Sequence, residues 1–269
     1  MTSRQSSKFD PARNVSAATL LAGLLIAGLS QAAVAACSSV SPVKGLVSVA
    51  LDGRTLRLQD GQEVRLAGVE IASSGEDAGA AASQSALAVL TERREVALHA
   101  AAKPDRYGRI VAFVFVEDAI EPIQGALLAQ GRLIVAGSTV ERECATYLAR
   151  RENDARQAKT GVWAAPAAIK NAEMPGDILA RMGQFVVVEG KVLSVREAGA
   201  TLYMNFGRRW TRDLAVTISR RAVRGFETAG IAPKSLENRI VRVRGFVEQR
   251  GGPRIQAFGP GQIEVVGGK

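Results

Sequence analysis

The chain has 269 residues, with 35 Lys+Arg against 26 Asp+Glu, one histidine and two cysteines. That inventory excludes zinc sites of the usual Cys/His type, and any histidine-based triad would rest on His99 alone, which falls in a predicted strand. No Gly-rich, Lys-Ser phosphate loop is present, so the chemistry open to the chain lies with arginines and carboxylates.

Arg4, Lys8 and Arg13 precede an almost wholly apolar run over residues 17–29. Ala33-Val34-Ala35 and Val34-Ala35-Ala36 then offer small-residue cleavage sites. This is the build of a secretory signal peptide over residues 1–36. The run of ~13 residues falls short of the ~20 that a membrane span needs. The expectation is an exported chain, periplasmic or secreted, with no integral span in its mature part. Val34-Ala35-Ala36-Cys37 also resembles a lipobox, which would put a lipid anchor on Cys37. The second cysteine is Cys144, and in an oxidising compartment two cysteines are expected to pair. Disulfide, lipid anchor and two unrelated thiols all stand at this point.

The remaining length suits two domains. Residues 37–174 carry 16 Lys+Arg against 17 Asp+Glu, whereas residues 175–269 carry 16 against 8. The basic surplus therefore belongs to the C-terminal part, where it would attract a polyanion such as nucleic acid, acidic polysaccharide or anionic lipid.

Strands are predicted over 47–49 and 55–58, joined by the turn Leu51-Asp52-Gly53-Arg54, where Asp-Gly is a hairpin signal. Residues 63–69 alternate polar and apolar as a half-buried strand does. A loop over 73–79 leads to a helix over 80–94, with Leu87 and Leu90 inward, then a strand over 95–100. A polar turn over 103–109 precedes a strand over 110–116. Helices over 122–130 and 141–159 are stopped by Gly131 and Gly161. This order fits a small β-barrel capped by helices. Residues 165–177, with Pro166 and Pro175 among alanines, read as a linker. Beyond it, strands are predicted over 184–195, 201–206, 214–218, 239–248 and 254–266, with a helix over 220–230 between the third and fourth. Five strands in that order are those of an OB-fold. The expected fold class is mainly β with helices: two small barrels, over 37–164 and 178–269.

Three segments of the first domain resemble the thermonuclease family, typified by staphylococcal nuclease. They are Val49-Ala50-Leu51-Asp52-Gly53-Arg54-Thr55-Leu56, Val64-Arg65-Leu66-Ala67-Gly68-Val69-Glu70, and Asp105-Arg106-Tyr107-Gly108-Arg109-Ile110-Val111-Ala112. Residues 124–133 and Gly161-Val162-Trp163 match in place, so the likeness covers roughly residues 43–164. The resemblance implies an OB-type barrel and Ca²⁺-dependent hydrolysis of nucleic-acid phosphodiesters. It implies that Arg65 and Arg109 clamp a phosphate, as fork-shaped guanidinium donors do. It places Glu70 at a metal carboxylate. Arg54 stands where the other metal carboxylate belongs, Ile71 where a metal-contacting threonine belongs, and Ser73 where the base glutamate belongs. Glu76 and Asp77, in the adjacent loop, are the candidates for a substitute carboxylate, and Glu76 for a substitute base. The structural alternative gives Arg65 and Arg109 to barrel salt bridges, for example with Glu70.

In the second domain, Tyr203, Arg208, Arg209 and Trp210 place aromatics beside cations, as surfaces that bind single-stranded nucleic acid do. Either Tyr203 or Phe206 could instead be core. Arg220, Arg221 and Arg224 add a basic cluster on the helix, and Arg242, Arg244, Arg250 and Arg254 another on the last hairpin. This part looks like the OB-like domain appended to some exported bacterial thermonuclease-like proteins. The resulting expectation is an exported thermonuclease-like protein that binds nucleic acid or another polyanion and lacks readily detected Ca²⁺-dependent hydrolysis. The alternatives are an active metal-dependent nuclease using Glu70 and Glu76, and a non-catalytic envelope scaffold that binds protein or glycan.

Overall fold

The computed structural model describes residue 37 and residues 42–71, 77–100, 103–117, 119–137 and 141–267. The expected leader over 1–36, and with it Ser73 and Glu76, lies outside them. The first barrel is closed in the order β1-β2-β3-β6-β5. Its strands are β1 (Val43–Asp52), β2 (Thr55–Leu58), β3 (Glu63–Leu66), β5 (Glu95–Ala100) and β6 (Ile110–Val116). β3 and β6 pair in parallel, with helix α1 (Asp77–Thr91) and β5 between them in sequence. Val47, Leu56, Val64, Leu87, Val96, Leu98 and Val114 are fully buried inside it. Leu87 comes from α1, and the others follow the period-2 pattern of a one-sided sheet.

The predicted turn tightens to Gly53-Arg54, because Asp52 is the last residue of β1 and pairs with Thr55. Its carboxylate accepts from the Arg54 N–H at 2.7 Å and from the Thr55 hydroxyl at 3.0 Å. A Cβ on Gly53 would lie 2.5 Å from the Ser83 side chain, so the turn packs against α1 as only glycine allows.

The strand predicted over 63–69 breaks. Gly68 takes φ +74°, and the chain leaves the barrel as β4 (Val69–Glu70) to pair with β7 (Ile134–Val135). Helices α2 (Ile123–Ala129) and α3 (Arg142–Ala158) pack under the barrel. A disulfide joins Cys37 to Cys144 at the start of α3, both buried in the first core.

The second sheet runs β10-β11-β12-β14-β13-β9-β8, with β15 added on β13. Its strands are β8 (Ile169–Asn171), β9 (Phe185–Lys191), β10 (Ser194–Ala198), β11 (Thr201–Asn205), β12 (Ala215–Ser219), β13 (Ile240–Arg250), β14 (Gly252–Ala257) and β15 (Ile263–Gly267). β10 ends the main path on one side and β9 lies next to the other end, where β8 is last, yet β9 and β10 are consecutive in sequence. Between them the Val192 N–H bonds the Arg239 carbonyl and the Leu193 N–H bonds the Asn205 carbonyl. Counted as one bent strand, β9–β10 gives this sheet the strand order of the first barrel. The match extends to the parallel pair β12/β14 and to helix α5 (Arg220–Thr228), which follows the third strand.

The strand predicted over 254–266 splits at Gly259-Pro260-Gly261. Proline has no N–H for a ladder, and the chain turns there to bring β15 back onto β13. Residues 165–177, read as a linker, carry β8 and part of helix α4 (Pro175–Leu179), whose Ile178 is fully buried in the second core.

The first barrel and the barrel-like second sheet belong to one compact unit. A small shared core unites Ile134, Ala136, Ala155 and Trp163 with Phe185 and Val187 of β9. Beside it Arg244, 6 % exposed, meets Glu152, 1 % exposed, at 2.6 Å. The Arg244 guanidinium also donates to the Val135 carbonyl at 3.0 Å, while Glu152 accepts from the Val135 N–H at 3.0 Å.

Candidate functional site

Four elements of the first barrel converge on a cluster of arginines: the β1–β2 turn, β3, β4 and the residue before β6. Arg65 lies on β3, directly across the parallel pair from Val111, so Arg109 is brought to the same end of the barrel. Glu70 follows the Gly68 break and is 7 % exposed. Its Oε1 accepts from Arg65 at 2.8 Å, and its Oε2 forms an ion pair with the Arg54 guanidinium. Arg109 does not reach Glu70. It forks onto Asp105 through Nε at 2.9 Å and Nη2 at 2.7 Å.

Asp105 is the partner that the sequence reading missed. The Asp-Arg-Tyr-Gly-Arg pattern signals it: its Oδ1 accepts from the Tyr107 and Arg109 N–H groups, closing a turn through Gly108 at φ +78°. Tyr107 is exposed there, with the guanidiniums of Arg106 and Arg109 at 4.8 and 5.0 Å from its ring centre. Beside it lies a polar cleft lined by Asp60, Gln62, Glu63, Tyr107 and Arg109.

The electrostatics follow from this crowding. Burial, then the proximity of Arg65, lowers the Arg54 pKa to about 10, so it remains a cation at neutral pH. Burial and Arg109 lower that of Arg65. Desolvation pushes the Asp105 carboxyl up. The Arg109 fork and the two backbone N–H groups outweigh that and hold it below its ordinary value.

These residues do not fit the metal that the resemblance implies. Ca²⁺ takes six to eight oxygen ligands. Both Glu70 oxygens face guanidiniums, and both Asp52 oxygens serve the turn. Among the described residues no group of three acidic, histidine or cysteine side chains could hold a metal ion. A dication ~5 Å from the Arg54 guanidinium would be opposed by roughly 6–7 kcal/mol at an effective dielectric of ~20. The structure instead gives Arg65 and Arg109 carboxylate partners, the pairing weighed as the structural alternative.

The second barrel gathers its predicted residues differently. Phe206 is core, with Leu202 and Met204, while Tyr203 is half-buried on the other face of β11, opposite Arg196 and Thr217. Arg208, Arg209 and Trp210 are exposed on the loop between β11 and β12. Asp213 accepts from the Arg209 N–H at 2.8 Å, and the Arg209 carbonyl accepts from the N–H groups of Arg212 and Asp213 at 2.8 Å. A Cβ on Gly207 would collide with Asp213, and one on Gly252 with the backbone of Arg212, so the next hairpin backs the loop closely.

Arg220, Arg221 and Arg224 are exposed on α5, at the far end of β12 and roughly 15 Å along the strand. They form a separate patch. The expected cluster on the last hairpin is not free: Arg242 binds Glu189 and Glu264, Arg244 binds Glu152, and Arg254 binds Glu248. Arg250 alone of that set is exposed.

No curated protein matches the chain. Residues 63–165 match a family model described as staphylococcal nuclease homologue, which takes in Arg65, Glu70 and Arg109. The chain therefore carries a staphylococcal-nuclease-like domain over that span.

Proposed function

We propose that this is an exported protein that binds nucleic acid, or another polyanion of like charge, without hydrolysing it, and that its second barrel is the main contact surface. The observation that carries this reading is the braced loop over residues 207–213. It holds Trp210, 75 % exposed, among Arg208, Arg209 and Arg212, with Arg250 on the hairpin turn packed against it. A flat ring offers a stacking face and the guanidiniums offer charge to phosphates. Because the loop is already ordered, little conformational entropy is lost on binding.

The nuclease likeness of the first barrel supports nucleic acid as the polyanion. The commitment of Glu70 to Arg54 and Arg65 argues against metal-dependent cleavage. Export is supported by the leader pattern and by the Cys37–Cys144 disulfide, since such bonds persist in oxidising compartments.

The test is a salt series of single-stranded DNA binding with the two-barrel chain, 37–269, and its Trp210→Ala variant. Affinity should fall steeply with salt as counterions are released. Trp210→Ala should weaken binding about 5- to 100-fold, the worth of one stacked base. Binding without a salt slope, or unaffected by Trp210→Ala, would refute the assignment of this surface.

A further inference from the structure

We infer that Arg54 is a resident cation: its guanidinium balances Glu70 where the resemblance implies a divalent ion, so this site keeps its buried carboxylate charged and ordered without metal. This goes beyond the binding reading and does not depend on it. A carboxylate as buried as Glu70 is costly unless it is paired and hydrogen-bonded. Here two guanidiniums share it, one from the β1–β2 turn and one from β3, each taking a different oxygen.

The turn holds Arg54 firmly. Its N–H bonds Asp52, and its carbonyl accepts from the Leu66 N–H at 2.8 Å, on the strand that leads to the Gly68 break. Its Nε is a buried donor with no acceptor among the described residues, a donor offered where a metal site needs acceptors. A fork-shaped cation also spans what a spherical ion would bridge, joining the turn to β4 and fixing the position of Glu70.

Thermal melting of the oxidised chain tests this, in EDTA and in Ca²⁺ at matched ionic strength, with Arg54→Gln, Glu70→Gln, the double variant and Arg54→Lys. The unsubstituted chain should melt at the same temperature in both buffers. Each Gln variant should melt lower by about 6–15 °C, because it strands part of a buried charge cluster. The double variant should lose clearly less than the sum of the two, the sign of a direct pair. Arg54→Lys, which keeps the charge and the folded chain, should recover part of the Arg54→Gln loss in EDTA. Additive losses would overturn the inference, as would a Ca²⁺-induced rise in the unsubstituted chain that Glu70→Gln removes.

Discussion

Breaking the Glu152–Arg244 pair should unsettle both barrels at once. Both groups are buried in the shared junction, and Val135 depends on them for its N–H and its carbonyl. Replacing Arg244 by Met strands a carboxylate and removes the donor to Val135. Loss of one partner from a buried pair costs ~3–5 kcal/mol. Glu152→Gln should cost less, because the amide can still accept from Val135 and Arg244 keeps Glu264 at 3.9 Å. A double Glu152→Leu, Arg244→Met variant should regain part of the loss but not all, since the two Val135 groups left unpaired cost ~1–3 kcal/mol each.

The assay is urea unfolding followed by the fluorescence of Trp163, which sits in the shared core, with Trp210 replaced by Phe so that the signal comes from the junction alone. Far-ultraviolet circular dichroism reports both sheets. One transition seen alike by both probes, shifted to lower urea in Arg244→Met, is the expected result. Two separate transitions, or a cost below ~1 kcal/mol for Arg244→Met, would refute the claim that the junction couples the barrels.

Peptide mapping without reduction should recover a linked pair containing Cys37 and Cys144, and reducing the bond should cost up to ~4–5 kcal/mol for a closed loop of this size. A diacylglyceryl mass on Cys37 would contradict that. For Asp105, the folded pKa lies below the ordinary 3.8, so the unfolded chain takes up the proton first. The Asp105–Arg109 pair then stabilises the fold fully above about pH 5 and loses its effect as the pH falls through the depressed value. The stability gap between the native chain and Asp105→Asn should therefore close in acid, and a gap constant with pH would count against it. Restoring Arg54→Asp, Ile71→Thr and Ser73→Glu together should raise Ca²⁺-dependent cleavage from an undetected baseline, and adding Arg109→Ala should abolish the gain.

Most of the first barrel was legible because its strands alternate and its turns carry Asp-Gly and polar signals. The strand over 110–116 is observed with the bounds predicted. Two-residue strands such as β4 and β7 carry no period, so the departure of the chain at Gly68 was invisible, and with it the pairing of Glu70 beside Ile134. The basic hairpin misled for a related reason. Arg244 and Glu152 are 92 residues apart, and sequence charge cannot tell a solvated cation from one buried against a distant carboxylate. In the second barrel, alternation on β11 left Tyr203 and Phe206 open, and only the packing of Phe206 against Gly190 and the core decided which faced inward. At the candidate site, Arg54, Arg65, Arg109 and Glu70 were all found from the sequence. Of their pairings, Arg65–Glu70 was offered as an alternative, but Arg54–Glu70 and Arg109–Asp105 were not, because they depend on which carboxylate each fork reaches.

Binding without metal-dependent hydrolysis can be scored in one incubation. The two-barrel chain, 37–269, is mixed with labelled single-stranded DNA in Ca²⁺ or EDTA, and the retarded and the cleaved fractions are scored from the same samples. Equal retardation in both buffers, with the DNA intact throughout, is the expected result. Cleavage in Ca²⁺ that EDTA stops and Glu76→Gln eliminates would contradict it.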